Sequence, residues 1–464
     1  FTHRSLKVIG NWIKKYGKVF GYYQGEIPFI VLTDVDMIRD CFVKEANAFH
    51  DRPSIILNIE PYNSSLLGVE GKCFCNFSFK VATPKSWKTT RRVLNPIFTA
   101  SKIKMMSQIM AGCSGEMMEV LDTKFDRGEA VDMLQIAQGL SLDVITKCAL
   151  AWQVDCQTNS TDPLLKAMRS VVEDAENSLI LYAIGFPILR KISEWIYPYA
   201  SYYKMTSKIL DNVREVIEYR RSGLGSRTTD MLQLMLDAQA GKENKATSSG
   251  KGEMLIEDRH LLSNCFLFLA AGFDTTALTL AFTAYLLAKY PEEQERVHNE
   301  IAGVFPEPDT EITYDGIQRL KRMDMVITET MRLYPPVVLF VSRHCRQDTT
   351  IMGQLIPEGA NILVPTWHVH HDPNLWLDPY KFDPERFADG QNAHHPAAFS
   401  PFGLGPRGCI GKRFALLEIK MAICRIIRKY RFLQCDGAPE DVELVVHNIM
   451  ISPKGGINVR LQRR

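Results

Sequence analysis

The feature that constrains this chain most is a glycine-rich turn that carries a single cysteine and leads into a long helical pattern. The turn is Phe402-Gly-Leu-Gly405-Pro-Arg407-Gly-Cys409-Ile-Gly411. Its glycines let the backbone approach a flat ligand closely, and amide groups near a helix start can stabilise a thiolate. We therefore expect Cys409 to be anionic and able to ligate haem iron. The alternative is an inert buried cysteine, but five specified residues at this spacing arise by chance on the order of once in ten thousand such chains.

The rest of the sequence predicts a mainly α fold with small β-sheets. Two patches near the ends of the chain, around Gln24-Gly25-Glu26 and around Pro453-Lys454-Gly455-Gly456, have the alternation and turn residues of β-hairpins. Apolar residues recur with helical spacing through most of the sequence between them. The predicted helices are Ile103–Leu121, Leu164–Ser178, Met205–Arg220, Leu261–Lys289, Glu293–Val304 and Ile410–Tyr430.

Charge and cysteine content exclude several classes of protein. Lys and Arg total 55 against 53 for Asp and Glu, so the net charge of +2 does not indicate nucleic acid as a partner. The 11 cysteines are odd in number and follow no regular framework, which fits a reducing compartment better than a disulfide scaffold. No apolar run long enough for a transmembrane span stands out. A segment removed from the N-terminus, such as an anchor, is compatible with a chain that begins at Phe1.

The cysteine turn resembles that of the cytochrome P-450 haem-thiolate monooxygenases, and other segments extend the resemblance over essentially the whole chain. Glu329-Thr-Met-Arg332 is similar to the family's Glu-x-x-Arg helix, and Pro384-Glu385-Arg386-Phe387 to the segment whose arginine completes a triad with it. Removing one partner of such a triad, if it is buried, costs roughly 3–5 kcal/mol. The resemblance implies that Glu329, Arg332 and Arg386 support the structure and take no part in the chemistry.

A second motif lies inside the longest apolar helix, at Ala270-Ala271-Gly272-Phe273-Asp274-Thr275-Thr276. Glycine weakens a helix and threonine bonds back to the i−4 carbonyl, so we expect a distortion here. The residues alone are also compatible with a close-packed contact between helices. The resemblance implies the family's oxygen-activating segment, with Asp274 and Thr275 as the catalytic acid and alcohol that deliver protons.

The resemblance also implies the groups that hold haem b, the iron protoporphyrin IX cofactor. Cys409 is the axial ligand of the iron, and Phe402 and Ala271 lie against the ring. Trp87 and Arg91, which are only a weak motif by themselves, contact the propionates together with Arg343 and Arg407. Guanidinium groups suit this role because they bind carboxylates in a bidentate manner.

The segments Lys15–Gly21, Thr33–Ile38, Pro96–Thr99 and Met231–Met235 are typical of the 3A-like drug- and steroid-oxidising group and of thromboxane synthase. The implied architecture is one cytochrome P-450 domain over residues 1–464. Its β-rich part covers about 1–60, 337–370 and 440–464, and its helical part about 85–335 and 409–435. Lys72–Ser86 departs from the group as a longer connection, which we expect to be an exposed loop.

Membership of this group implies a monooxygenase that inserts one atom of dioxygen into an apolar xenobiotic, steroid or lipid. Two other hypotheses stay open: a peroxide isomerase of the thromboxane-synthase kind, and a non-catalytic haem-thiolate sensor or carrier. The expected apolar pocket is lined by Phe266, Ala270, Ala271, Thr275, Val337, Val338, Leu339 and Ile449.

The implied electron donor is NADPH, acting through NADPH-cytochrome P-450 reductase, with cytochrome b5 as a second partner. The implied location is the cytosolic face of the endoplasmic reticulum membrane, through an N-terminal anchor. The aromatic segment Phe186–Tyr203 is either an irregular packed segment or a contact with the membrane surface. Clustered basic residues form the expected reductase-docking face, namely Lys85, Lys88, Arg92, Lys412, Arg413, Lys420, Arg425, Arg428 and Lys429.

Overall fold

The structure is a computed structural model, and it describes nine ranges of the chain. These are residues 5–53, 60–68, 87–174, 199–223, 230–240, 257–307, 310–388, 394–447 and 449–464. The predictions for Lys72–Ser86 and for most of Phe186–Tyr203 lie outside the described residues.

Helices make up most of the described chain, and each helix predicted from the sequence is present with somewhat different bounds. The helices are α1 Ser5–Tyr16, α2 Val35–Arg39, α3 Trp87–Leu94, α4 Ala100–Asp126, α5 Met133–Leu150, α6 Pro163–Asp174, α7 Ser201–Arg221, α8 Met231–Ala240, α9 Asp258–Lys289, α10 Pro291–Val304, α11 Tyr314–Ile317, α12 Lys321–Leu333, α13 Thr366–His370 and α14 Lys412–Lys429.

The long helix α9 forms the centre of the molecule. Its sequence is apolar on all sides, which suits a helix enclosed by others. It packs along α5 and also contacts α12, α14, α7 and α6. Its most apolar part is also long enough to cross a membrane, as in no other described helix, but 72% of that part is buried inside the protein. Helix α9 therefore serves as the core helix.

Small sheets lie around this helical body, as the sequence predicts. A four-stranded sheet has the order β1-β2-β7-β4, a three-stranded sheet the order β3-β11-β8, and β5-β6 and β9-β10 form separate pairs. The four-stranded sheet covers a second apolar cluster that includes Phe42 and Ile362. The strands are β1 Val19–Gln24, β2 Ile27–Leu32, β3 Val131–Asp132, β4 Val341–His344, β5 Thr349–Ile351, β6 Gln354–Ile356, β7 Asn361–Val364, β8 Tyr430–Gln434, β9 Leu444–His447, β10 Met450–Pro453 and β11 Asn458–Arg463.

The N-terminal hairpin is confirmed, because β1 and β2 pair in antiparallel fashion from Val19 opposite Leu32. The C-terminal hairpin is wrong in its strand pairing. Strand β9 pairs with β10, and β11 joins β3 and β8 in another sheet. The predicted turn instead links β10 in one sheet to β11 in another. Gly456 in this link lies against the carboxylate of Asp132 on β3. The division of the chain into a β-rich and a helical part stays a prediction.

Candidate functional site

The cysteine turn is held open by its backbone and fixed to neighbouring segments. Gly405 has φ +64°, and a Cβ at this position would overlap the carbonyl oxygen of Phe42, so both the conformation and the space require glycine. The backbone N–H of Cys409 donates to the carbonyl oxygen of Phe402 at 2.7 Å and closes the turn. The Cys409 side chain is exposed to the space beside the turn, three residues before α14 begins at Lys412.

Opposing effects act on the Cys409 thiol. Desolvation within the fold raises the pKa of Cys409 above its usual value, although the backbone N–H groups of Gly411 and Lys412 and the charge of Arg91 lower it. Desolvation by the surrounding protein is the largest of these effects, and that Cys409 is anionic stays a prediction. Coordination to a metal ion deprotonates a thiol outright, and these donors then stabilise the thiolate.

Helix α9 presents one open position in an otherwise buried stretch. Ala271 is exposed and Thr275, one turn later, is half-buried, whereas Phe273 and Thr276 are buried. The hydroxyl of Thr275 donates to the carbonyl oxygen of Ala271 at 2.7 Å. This face is therefore the part of α9 that a ligand could contact.

The glycine in this motif has a packing role. A Cβ on Gly272 would lie 3.1 Å from the Ile145 side chain of α5, closer than most Cβ contacts. Helical geometry is continuous from Asp258 to Lys289, and the expected distortion of the helix stays a prediction. Close packing of α9 on α5, the alternative that the residues alone allow, explains the glycine.

Asp274, unlike Ala271, is buried in the packing of α9. It is 5% exposed, and its carboxylate accepts a hydrogen bond from the side-chain amide of Gln138 on α5 at 2.9 Å. Successive residues of an α-helix are rotated by about 100°, which explains why the adjacent Thr275 faces elsewhere.

Buried arginines gather beside the cysteine turn. Arg407 lies 4.5 Å over the Trp87 ring and donates to the carbonyl oxygens of His50 and Leu66 at 2.6 and 3.2 Å. Arg343 donates to the Leu404 carbonyl oxygen, within the turn, at 3.0 Å. Burial and the charge of Arg407 lower the pKa of Arg343 to about 9. These two predicted residues are thus brought together at one edge of the turn.

Arg52 completes this group, and sequence reasoning missed it. It stacks 4.1 Å from the Phe340 ring and donates to the Phe340 carbonyl oxygen at 3.0 Å. Its Nε has no hydrogen-bond partner in the described part of the chain. Burial and the charge of Arg343 hold the pKa of Arg52 well below its usual value. In the sequence it is an arginine before a proline in a segment without a recognisable pattern, so no local signal identifies it.

A carboxylate and an indole N–H lie beside the arginine group in the described residues. The nearby carboxylate of Asp51 lies 3.8 Å from Arg407 and also pairs with Arg346 at 3.2 Å. The buried indole N–H of Trp87 has no partner among the residues that the structure describes. Buried cations and orphaned donors of this kind fit an anionic ligand, and the exposed thiol and the open face of α9 fit its flat body and metal. The residues therefore suit haem b, whose propionates are carboxylates.

Arg91 is engaged with the cysteine turn itself. Its guanidinium donates to the carbonyl oxygen of Gly408 at 3.0 Å and to the Asn95 side chain at 2.9 Å. This contact ties α3 to the residue before Cys409. Burial lowers the pKa of Arg91.

The structure brings the three triad residues together at the end of α12. Glu329 and Arg332 are fully buried and form a bidentate ion pair at 2.7 and 2.8 Å. Arg332 also donates to the carbonyl oxygens of His370 and Pro379, and Arg386 lies 3.4 Å from Glu329. Burial raises the pKa of Glu329 against the opposing effect of Arg332. The triad thus joins α12 to the segments that precede the cysteine turn.

The residues expected to line the pocket differ in how much surface they offer. Val338 and Ile449 are joined by a backbone hydrogen bond of 2.8 Å. Phe266 is fully buried against Tyr62, with 5.6 Å between their ring centroids. Leu339 and Val338 are also buried, whereas the remaining candidates are half-buried or exposed, namely Ala270, Ala271, Thr275, Val337 and Ile449.

Part of the expected basic face is wrong, because several of its cations already have partners. Lys420 is buried and pairs with Asp324 at 2.9 Å, and Lys429 pairs with Asp122 at 2.6 Å. Arg428 donates to the carbonyl oxygens of Thr310 and Glu307. Four of the expected residues are exposed around the start of α14 and along α3, namely Lys88, Arg92, Lys412 and Arg413.

Comparison with known proteins agrees with this site. The Cytochrome P450 family model matches residues 3–458. The chain is 34% identical over 458 residues to Cytochrome P450 3A5 of Homo sapiens, covering 97% of this chain and 86% of the relative. It is 31% identical over 459 residues to Cytochrome P450 3A27 of Oncorhynchus mykiss, covering 97% and 84%. These relatives favour the monooxygenase over the peroxide isomerase and the carrier. The chain belongs to the cytochrome P450 family and is a haem b monooxygenase that takes electrons from a redox partner and acts on a small molecule.

Proposed function

We propose that this enzyme inserts one atom of dioxygen into apolar xenobiotic, steroid or lipid substrates. The observation that carries the proposal is the open face of α9 at Ala271 and Thr275, within a body whose nearby described surfaces are apolar. A pocket of this kind selects its substrate mainly by shape and apolar contact. Phe266, Ala270, Val337, Val338, Leu339 and Ile449 are the proposed lining.

The proposed haem-binding groups surround the cysteine turn. Cys409 would ligate the iron, with Phe402 and Ala271 against the ring. Haem with a thiolate ligand supplies electron density that favours cleavage of the O–O bond. The acid groups of the ring would lie against the cationic and N–H donors, which are Arg52, Trp87, Arg91, Arg343 and Arg407.

Thr275 and Asp274 are the proposed proton-delivery groups. The Thr275 hydroxyl stands on the open face of α9 and donates its proton to the Ala271 carbonyl oxygen, so its oxygen can accept a hydrogen bond from a water there. Asp274 is the nearest acid along the chain, and its carboxylate is held on the α5 side. Proton transfer between them therefore requires a water or a change of side-chain rotamer.

The proposed electron donor is NADPH-cytochrome P450 reductase, with cytochrome b5 as a second partner. Lys88, Arg92, Lys412 and Arg413 leave an exposed positive patch near Cys409. Such a patch steers an acidic partner toward a short path for electrons, and salt weakens the attraction.

We further infer that the enzyme lies on the cytosolic face of the endoplasmic reticulum membrane. Apolar and aromatic side chains are exposed near the N-terminus, with Tyr16 at 55% and Tyr23 at 74% exposure. Aromatic residues are favoured at the boundary between headgroups and acyl chains. A vesicle-binding assay with the Tyr16→Ser/Tyr23→Ser variant tests this location, because binding as strong as that of the native chain would contradict it.

The test of the function is product analysis with a panel of apolar substrates, with and without reductase and NADPH. We expect oxygenated products that carry label from ¹⁸O₂ and form only in the complete system. Rearrangement of an organic peroxide without reductase, and no labelled product, would instead establish the isomerase.

Charge reversal tests the docking patch. Lys412→Glu/Arg413→Glu should slow reduction by the reductase at low salt and spare activity driven by added peroxide. Lys204→Glu/Lys208→Glu on α7 makes the same charge change at two exposed positions elsewhere and serves as the matched control. An equal effect of both pairs would refute the patch.

A further inference from the structure

Three side chains from three helices form a row behind the open face of α9. The Gln138 amide nitrogen on α5 donates to Asp274 Oδ1 at 2.9 Å. Arg169 on α6 donates through its Nε to Gln138 Oε1, also at 2.9 Å. The middle residue of the row therefore contacts both a proposed catalytic acid and a cation.

The chemistry of these groups gives the row a direction. A guanidinium has only donors, so the amide of Gln138 must turn its oxygen toward Arg169. Its NH₂ group then faces Asp274, whose ionised carboxylate is a pure acceptor. Arg169 thus fixes the Gln138 amide in the orientation that donates to an ionised Asp274. The effect of Arg169 on Asp274 passes only through this amide.

The hydrogen bond from Gln138 is important because the Asp274 carboxylate is buried. Asp274 is 5% exposed, and an ionised carboxylate taken out of water needs donors to compensate its lost hydration. Gln138 is half-buried and supplies such a donor. A neutral donor also leaves the acid free to exchange its proton, which a direct ion pair with arginine would oppose.

We propose that Gln138 is a positioning residue for Asp274, and that Arg169 fixes the direction of the Gln138 amide. The proposal rests on the proposed proton-delivery role of Asp274. It adds that residues on α5 and α6, outside the motif on α9, fix the orientation of the Asp274 carboxylate.

Gln138→Glu is the first test, because it keeps the shape and the contact with Arg169 but turns a donor toward Asp274 into a carboxylate. We expect the ratio of product to NADPH consumed to fall by about 10- to 100-fold, as for a displaced catalytic group. Substrate binding, followed by the absorption change of the ferric protein, should not change. Gln135→Glu makes the same substitution at an exposed position one turn earlier on α5 and should behave like the native enzyme.

Arg169 is tested by two variants. Arg169→Met lets the amide rotate and should lower the same ratio, whereas Arg169→Lys keeps a cationic donor and should restore most of it. Equal losses in both variants would mean that Arg169 acts only through packing and would overturn its proposed role.

An exchange of charges separates the contact from the function. In the double variant Asp274→Asn/Gln138→Glu the new amide donates to the new carboxylate, which still pairs with Arg169. We expect Gln138→Glu to lower the unfolding midpoint, because it places two carboxylates against each other. The double variant should restore the midpoint but should not restore coupled turnover. No recovery of the midpoint would refute the contact.

The proposed function can fail separately. If Asp274→Asn alone keeps full coupling, the role of Asp274 in proton delivery is refuted, whatever the unfolding data show. If Asp274→Asn is impaired and Gln138→Glu matches Gln135→Glu, the acid stands and the positioning role is refuted.

Discussion

Glu418 should make the stability of this protein decrease as pH rises toward neutrality. The residue lies on α14, nine positions after Cys409, and is 3% exposed. Its carboxyl accepts a hydrogen bond from the hydroxyl of Ser141 on α5 at 2.7 Å. Burial raises the pKa of Glu418 from 4.5 to about 8, and the Ser141 hydrogen bond opposes this only in part. The folded protein therefore keeps Glu418 protonated at pH 7.

The sign and size follow from proton linkage. Above pH 4.5 the unfolded chain loses this proton and the folded chain keeps it, so unfolding becomes easier with each pH unit up to about 8. Each unit is worth about 1.4 kcal/mol, so stability falls by about 3 kcal/mol between pH 4.5 and pH 7. Glu418→Gln keeps the shape and the hydrogen bond and has no proton to lose.

The assay is urea unfolding of the haem-loaded protein between about pH 5 and pH 8. The free energy of unfolding of Glu418→Gln should exceed that of the native protein by an amount that grows with pH. Glu119→Gln on α4 makes the same substitution at an exposed site and should give a small difference across the range. A difference that stays constant with pH for Glu418→Gln would refute the reasoning, because it would show that Glu418 is ionised in the folded state.

Four further variants test the site. Cys409→Ser should remove the red-shifted absorption of the ferrous carbon monoxide complex, and retention of that band would exclude Cys409 as the ligand. Thr275→Ala should leave substrate binding intact and raise peroxide release relative to product, as measured by their ratio in steady state. Arg332→Met should lower the free energy of unfolding by about 3–5 kcal/mol, and adding Glu329→Gln should recover part of it by removing the unpaired charge. Gly405→Ala should destabilise the turn by at least about 1 kcal/mol, and a native unfolding midpoint would contradict the positive φ.

Motifs that are local in sequence could be predicted well. The cysteine turn and its following helix depend on glycines within ten residues, so composition and spacing are sufficient. The ion pair of Glu329 with Arg332 has the i,i+3 spacing of neighbours on a helix face. Its burial depends on residues far along the chain, and only the resemblance to a known family indicated it.

Contacts between distant segments could not be predicted. Arg52 joins Arg343 and Arg407 only because residues 48–52, β4 and the cysteine turn meet in three dimensions. Part of the predicted basic face failed for the same reason. Lys420 and Lys429 belong to a run of cations in the sequence, but their carboxylate partners come from α12 and α4.

The motif on α9 shows how far such reasoning reaches. Asp274 and Thr275 are neighbours in sequence, so a motif assigns them one task, but the helix turns by about 100° between them. Thr275 stands on the open face, while Asp274 is directed to α5 and accepts its hydrogen bond from Gln138. Proximity in sequence therefore indicates a pair of candidate residues, and helix packing decides how the carboxylate of Asp274 is oriented. If the proposed role of Gln138 and Arg169 holds, two enzymes with the same α9 motif would differ in proton delivery through residues on α5 and α6 alone.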